Sequence, residues 1–281
     1  MDTYCVFGHP IEHSKSPWIH ARFAQLTHQS LVYHKTLAPL DGFASSLQAF
    51  QSQGGKGCNV TLPFKSQAAA LATRCSPRVS LALACNTLKF DGQDIYGDNT
   101  DGLGLVTDLV RNAGCQLQGK SVLLIGAGGA AAGVLGPLLC EKPQQLWVTN
   151  RTADKARQVV QRHAALAMAE GVDCLALSLQ DEKLFSQSFD VVINASSSSL
   201  HQGQIPVPDS VLKQGGMACD LMYGPAAQGF MQWARANGTQ ARDGLGMLVE
   251  QAASSFQLWR GVQAPTQKVL AELRALVSSS K

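Results

Sequence analysis

Six residues, Gly126-Ala127-Gly128-Gly129-Ala130-Ala131, follow the apolar run SVLLIG and fit the pattern G-x-G-x-x-G/A with Ala131 in the third place. In such a turn the first glycine permits a tight bend and the second lets the backbone approach a pyrophosphate. A small third residue allows close helix packing, and the helix N-terminus offers free N–H groups to the anion. A site for NAD carries Asp or Glu about 20 residues beyond the glycines, accepting from the ribose hydroxyls. This chain has Asn150-Arg151-Thr152 there, with Lys155 close behind. An acid would repel a 2′-phosphate, whereas a guanidinium holds one through paired charge-assisted hydrogen bonds. The pattern points to NADP.

Four further polar stretches are unlike ordinary core: His13-Ser14-Lys15-Ser16-Pro17, Asn59-Val60-Thr61-Leu62-Pro63-Phe64-Lys65, Cys85-Asn86-Thr87 and Asn99-Thr100-Asp101-Gly102. The first reads either as a plain helix start, with Ser16 as N-cap before Pro17, or as two hydroxyls and a helix N-terminus that take a carboxylate. The second runs from a strand end into a proline turn, where open α/β sheets place their site residues. The last two each follow a short apolar run, so polar tips at several strand ends are expected to converge.

The elements that must position these groups alternate in two series. Over residues 2–100 the runs TYCVFG, LVYHKTL and GCNVTL alternate with the helical patterns PWIHARFAQLTH and FASSLQAFQSQG, which indicates an α/β domain with a mostly parallel sheet. NTDGLGLVTDLVRNAG reads as a helix capped near Asn99 or Thr100 and stopped at Gly114. Beyond Lys120 five strands are expected, SVLLIG, QLWVTN, CLALSL, DVVINA and MACDLM, with helices between them, as in a doubly wound nucleotide fold. The C-terminal part is helical, through VEQAASSFQLWRG and TQKVLAELRALVS, and no strand follows. The expected division is residues 1–102 with 243–281 as a substrate domain and 103–242 as an NADP-binding Rossmann domain, with the active site in a cleft between them.

With 281 residues, 45% of them hydrophobic and 15% charged, the chain has ample apolar content for two cores. A net charge of +3 gives no basic field for nucleic acid. Eight scattered cysteines form no CxxC pair, so no metal is expected. With no basic-then-apolar leader, the thiols read as reduced, cytoplasmic and mostly small core residues. The uncharged run over 122–140 is as long as a membrane span, but five glycines and Pro137 fit a strand, a turn and a buried helix better. The expected partner is a small molecule, with no nucleic acid and no membrane, and the chain a monomer or homodimer.

Taken in order, HSKSP, NVTLPFK, ACNTL, GDNTDG, GAGGAA, NRT and DGLGMLVEQAASSFQLWRG resemble the shikimate dehydrogenase family over nearly the whole chain. The resemblance implies NADPH-dependent reduction of 3-dehydroshikimate to shikimate, with Lys65 and Asp101 as the catalytic pair. It implies Ser14, Ser16 and Tyr223 on the substrate carboxylate, and Thr61, Asn86 and Gln251 on the ring hydroxyls. For the cofactor it implies Gly126, Ala127, Gly128, Gly129 and Ala130 at the pyrophosphate, and Asn150, Arg151, Thr152 and Lys155 around the 2′-phosphate. Gly244 and Leu221 or Met222 then lie where the nicotinamide is held, Ala195 and Ser196 in the loop beside the cofactor, and Met247 is a further cofactor-binding residue. Ketone reduction needs a proton at the developing alkoxide, which Lys65 beside Asp101 can supply or stabilise.

The chain departs from the family pattern at Gln228-Gly229-Phe230, where Thr-Pro-Phe is common, at Ser199 in place of a glycine and at Cys85 in place of a valine. None removes a reacting group. A quinate/shikimate dehydrogenase with broader substrate or NAD use would favour an acid where Arg151 stands. A non-catalytic sensor of NADP or shikimate would have no need of both Lys65 and Asp101.

Overall fold

Asp2–Gly8 forms β1, whose last five residues are all buried, as a strand covered on both faces requires. It pairs in parallel with β2 (Leu31–Leu37) and β3 (Gly55–Val60). Three more strands, β4 (Arg74–Cys75), β5 (Thr87–Asp91) and β6 (Asp94–Asp98), complete a sheet in the order β2-β1-β3-β5-β6-β4. In the computed structural model residues 1–196 and 205–279 are described. The chain forms two compact units, one of Met1–Gly104 with Val249–Lys281 and the other of Leu105–Leu248.

The hairpin β5–β6 is antiparallel, unlike the strands before it, and turns through Gly92 at φ +59°. Asp91 pairs with Asp94, so the two-residue loop is Gly92-Gln93, with glycine at the first position, where positive φ is needed. Around this sheet lie α1 (Ser16–Leu26), α2 (Phe43–Ser52), α3 (Lys65–Leu71) and α4 (Pro77–Ala82). α1 begins at Ser16, but Lys15 occupies the N-cap position and Ser16 does not cap it. Phe64 is fully buried and stacks on Phe43 at 4.9 Å, which fixes the backbone where α3 starts at Lys65.

His20, on α1, is fully buried and stacked flat on Tyr33 at 4.2 Å, and neither ring nitrogen has a hydrogen-bond partner. Burial pushes it down to about 3, against a weaker opposing pull from Asn59. Its folded pKa lies below the unfolded value of 6.5, so below that pH the unfolded chain binds a proton that the fold refuses. Each pH unit from there down to about 3 then removes about 1.4 kcal/mol of stability. Replacing His20 by Phe is expected to flatten this loss. Urea unfolding at pH 7 and pH 5 should show the variant gaining about 2 kcal/mol on the parent between the two; parallel pH dependences would show that His20 does not act so.

α5 (Asp101–Thr107) begins in the first unit and ends in the second, where it passes into a π turn over Asp108–Asn112 that stops at Gly114, φ +65°. Asn99 accepts from the Asp101 N–H at the start of α5. The strands β7 (Ser121–Ile125), β8 (Gln145–Asn150), β9 (Asp173–Ser178), β10 (Phe189–Asn194), β11 (Leu212–Asp220) and β12 (Gln240–Arg242) form one parallel sheet. Its order, β12-β11-β10-β7-β8-β9, is that of a Rossmann fold, with the topological switch between β7 and β10. Six strands stand where the sequence shows five, because three residues are too few for a readable pattern in β12.

The uncharged run splits into β7 and the buried α6 (Gly129–Cys140). Three further helices, α7 (Ala153–Glu170), α8 (Glu182–Phe185) and α9 (Gln228–Ala236), belong to this unit. α10 (Leu245–Arg260) and α11 (Thr266–Ser279) end the chain. Among the described residues no helix is long and apolar enough to cross a membrane. Of the cysteines only Cys5, Cys58, Cys85 and Cys219 are buried, fewer than expected, while Cys75 and Cys140 are exposed.

Candidate active site

Lys65 opens α3 and Asp101 opens α5, and the Lys65 Nζ donates to Asp101 Oδ2 at 2.5 Å. Their side chains are 16% and 8% exposed, so the pair is shielded from bulk water yet reachable. The other oxygen, Asp101 Oδ1, accepts from Asn86 Nδ2 at 2.8 Å. That amide also reaches Thr100 Oγ1 at 2.9 Å and Gln251 Oε1, on α10, at 3.2 Å. Four residues expected at the substrate, Lys65, Asp101, Asn86 and Gln251, thus meet at one point.

The orientation of the Asn86 amide follows from a backbone group. The Thr100 N–H can only donate, and it lies 2.9 Å from Asn86 Oδ1, so the NH2 must face Asp101. Behind it, Tyr33 donates to Asn59 at 2.7 Å, and Asn59 Nδ2 reaches the Asn86 carbonyl, Thr87 and Ser255. Such a buried network is stable because its members are paired.

Ser14 and Ser16 lie side by side at the start of α1, with the Ser16 N–H donating to Ser14 Oγ at 3.3 Å. Ser16 is buried and Ser14 half-buried. Thr61, half-buried, follows β3 and hydrogen-bonds through its backbone to Phe7 and Phe64. Tyr223, in the other unit, precedes a short 3-10 turn, and burial pushes its phenol up, so that it is a neutral donor at ordinary pH.

The glycine turn fits a dinucleotide. Gly126 has φ +114°, and a Cβ there would lie 2.9 Å from the Ala195 carbonyl oxygen, so only glycine suits this crossing of β7 and β10. At Gly128 a Cβ would meet nothing within 4 Å, which leaves open space before α6. Among the described residues no side chain caps this 12-residue helix, whose first N–H groups are the kind that meet an anion. Gly129 and Ala130 begin that helix, and Ala127 lies half-buried before it.

Beyond β8, Asn150 donates to the Thr152 carbonyl, Thr152 takes the N-cap position of α7, and Arg151 and Lys155 are exposed. Among the described residues neither of these two cations forms an ion pair.

Ala195 and Ser196 follow β10, and Asn194 reaches Asp220 at 3.0 Å. Gly244 is explained by contact with 221–222: a Cβ would stand 2.1 Å from the Leu221 carbonyl oxygen, and its N–H donates to Met222. Leu221, Met222 and Gly244 are therefore held together, and Met247, buried on α10, follows one turn on. Ser197 and Ser199 lie outside the described residues.

Three family models match the chain: the shikimate dehydrogenase substrate binding domain over 6–88, shikimate / quinate 5-dehydrogenase over 108–204, and the shikimate 5'-dehydrogenase C-terminal domain over 244–274. A shikimate dehydrogenase (NADP(+)) of Acidovorax ebreus is 60% identical over 99% of this chain and 98% of its own.

The chain belongs to the shikimate dehydrogenase family.

Among solved structures, the Ael1 enzyme of Pseudomonas putida matches with TM-score 0.88 and 42% identity, over 97% of this chain and 98% of that one. Shikimate 5-dehydrogenase of Thermus thermophilus, solved in complex with NADP(H) and shikimate, matches with TM-score 0.84 and 28% identity, over 98% and 99%. Tyr33 sits on a strand that reads as core, while Thr87 and Ser255 stand inside the quoted stretches ACNTL and DGLGMLVEQAASSFQLWRG without a role being assigned to them there. Asp98, within GDNTDG but given no role there, is gripped by the Arg78 guanidinium and the Ser76 hydroxyl and braces the turn before Asp101.

Proposed function

We propose that this chain catalyses the reversible, NADPH-dependent reduction of 3-dehydroshikimate to shikimate in aromatic amino-acid biosynthesis, acting in the cytoplasm as a monomer or homodimer without nucleic acid, membrane or metal. The observation that carries the reading is the Lys65–Asp101 pair backed by Asn86 and Gln251. Bound NADPH supplies the hydride. Lys65 stabilises and protonates the developing alkoxide, and Asp101 aims Lys65 while accepting from the neighbouring ring hydroxyl.

Asn86, Gln251 and Thr61 orient the ring through its hydroxyls. Ser14, Ser16 and the neutral Tyr223 phenol donate to the carboxylate. Gly126, Ala127, Gly128, Gly129 and Ala130 take the pyrophosphate, and Asn150, Arg151, Thr152 and Lys155 take the 2′-phosphate. Ala195, Ser196, Leu221, Met222, Gly244 and Met247 take the nicotinamide.

The test is nicotinamide absorbance with shikimate or quinate, and with NADP⁺ or NAD⁺, for the parent and Arg151→Ala. The parent should turn over shikimate with NADP⁺ and little else. Loss of Arg151 removes charge-assisted bonds worth about 1.5–3 kcal/mol, so KM for NADP⁺ should rise roughly 10–100-fold with NAD⁺ unaffected. Fast quinate or NAD⁺ turnover would select the broader-specificity enzyme. NADP⁺ binding without turnover of either acid would leave a sensor.

A further inference from the structure

One buried polar chain behind the site is oriented throughout in a single direction. Tyr33 Oη donates to Asn59 Oδ1 at 2.7 Å, Asn59 Nδ2 to Thr87 Oγ1 at 3.0 Å, Thr87 Oγ1 to Asn86 Oδ1 at 2.8 Å, and Asn86 Nδ2 to Asp101 Oδ1 at 2.8 Å.

Two backbone groups fix that direction. The Asn86 carbonyl can only accept, so Asn59 must turn its NH2 toward β5 and its oxygen toward Tyr33; the Thr100 N–H can only donate, so Asn86 must turn its oxygen toward Thr87. Burial holds the Tyr33 phenol well above its ordinary value, so it keeps the hydrogen with which the chain begins. Thr87 is fully buried, and its one hydroxyl hydrogen is the step that joins the two amides. With Asn59 donating to it, that hydrogen is left for Asn86 or Ser255. Ser255, 2.8 Å from the same Thr87 oxygen, can donate its own hydrogen to Thr87, so that Thr87 accepts from Asn59 and Ser255 and gives its one hydrogen to Asn86.

We propose that Thr87 is a positioning residue: through its hydroxyl a one-way chain of buried hydrogen bonds from Tyr33 holds the Asn86 carboxamide against Asp101. The assignment rests on the functional reading above for its effect on turnover, but not for its effect on Asn86. A chain of aligned donors polarises each successive bond, so breaking the middle link loosens the amide that faces Asp101 even though Thr100 still anchors it.

Thr87→Val exchanges the hydroxyl for a methyl of the same shape. It is expected to slow shikimate oxidation about five- to tenfold, the loss of one hydrogen bond of about 1 kcal/mol, and to move the side-chain NH2 resonances of Asn86 in protein carrying isotope-labelled asparagine. Thr87→Ser, which restores the hydroxyl, should recover both. Ser255→Ala, which removes an equally buried hydroxyl lying beside the chain, should stay within about twofold of the parent. If Thr87→Val fails to fold, Tyr33→Phe breaks the chain at its head and should move the same Asn86 signals.

Unmoved Asn86 signals in the folded variant overturn the proposal, as does a Thr87→Ser protein as slow as Thr87→Val. A parent that fails to oxidise shikimate would sink the functional reading, while the Asn86 resonances would still decide the role of Thr87.

Discussion

Replacing Lys65 by alanine is expected to lower kcat for shikimate oxidation by about 10²–10⁴-fold, with a much smaller change in the KM for shikimate. The reason is geometric. Lys65 Nζ is held 2.5 Å from Asp101 in a pair with little exposure, and on the proposed mechanism it faces the oxygen on which negative charge develops. Charge appears there in the transition state and is far weaker in the bound ketone or alcohol, so the loss falls on turnover.

One complication is that alanine leaves the buried Asp101 carboxylate with only Asn86 among these site partners, at a cost in stability. A melting curve beside the kinetics separates the two, since a protein that is folded at the assay temperature and still slow has lost chemistry. Lys65→Arg keeps a charge but changes its shape and holds its proton, and should recover little. If folded Lys65→Ala retains a rate within about fivefold of the parent, a range well under what a general acid contributes, then Lys65 is not the acid.

Why the sequence shows a role for Lys65 and none for Thr87, which also stands in a polar stretch, is a matter of local against long-range signals. The glycine turn is legible because each residue answers a local demand, as Gly126 does with φ +114° beside Ala195. Five strands of the Rossmann sheet are legible because buried parallel strands read as apolar runs, whereas β12, three residues long, pairs only along the edge of β11. Lys65 and Asp101 each stand in a recognisable stretch, but their meeting depends on the pairing of β5 with both β3 and β6, which no local pattern encodes. Thr87 and Ser255 are separated by 168 positions and meet only in three dimensions. A buried threonine on a strand and a buried serine on an apolar helix face are common in any core, so only their partners reveal a purpose. The Ser16 cap shows the opposite error: Ser-Pro suits a helix start so well that it suggests a cap, yet Lys15 takes the N-cap position and Ser16 is the first residue of the helix.

The same long-range logic gives the second large effect, at Asp108. Its carboxylate is wholly buried and grips the Arg242 guanidinium with two bonds, Nε to Oδ2 at 2.6 Å and Nη2 to Oδ1 at 2.5 Å, while Asn112 donates to Oδ1 at 3.0 Å. Gly246 makes room for it, since a Cβ there would lie 1.9 Å from Oδ1. Arg242 is the last residue of β12, and two positions on stands Gly244, whose backbone fits against Leu221 and Met222.

Asp108→Ala strips a mostly buried guanidinium of its carboxylate, a loss of about 3–5 kcal/mol. Because the damage lies at β12 and the segment leading to Gly244, affinity for NADP⁺ should fall together with stability. Asp108→Ala combined with Arg242→Met should restore much of the stability, because it leaves no unpaired charge in the buried site. Denaturant unfolding of the three variants reads this directly. A double variant as unstable as Asp108→Ala alone would mean that the carboxylate acts through Asn112 and the close fit at Gly246, and that Arg242 is incidental. A recovered double variant that also regains NADP⁺ affinity would show that the ion pair serves the cofactor site only by keeping β12 on the sheet.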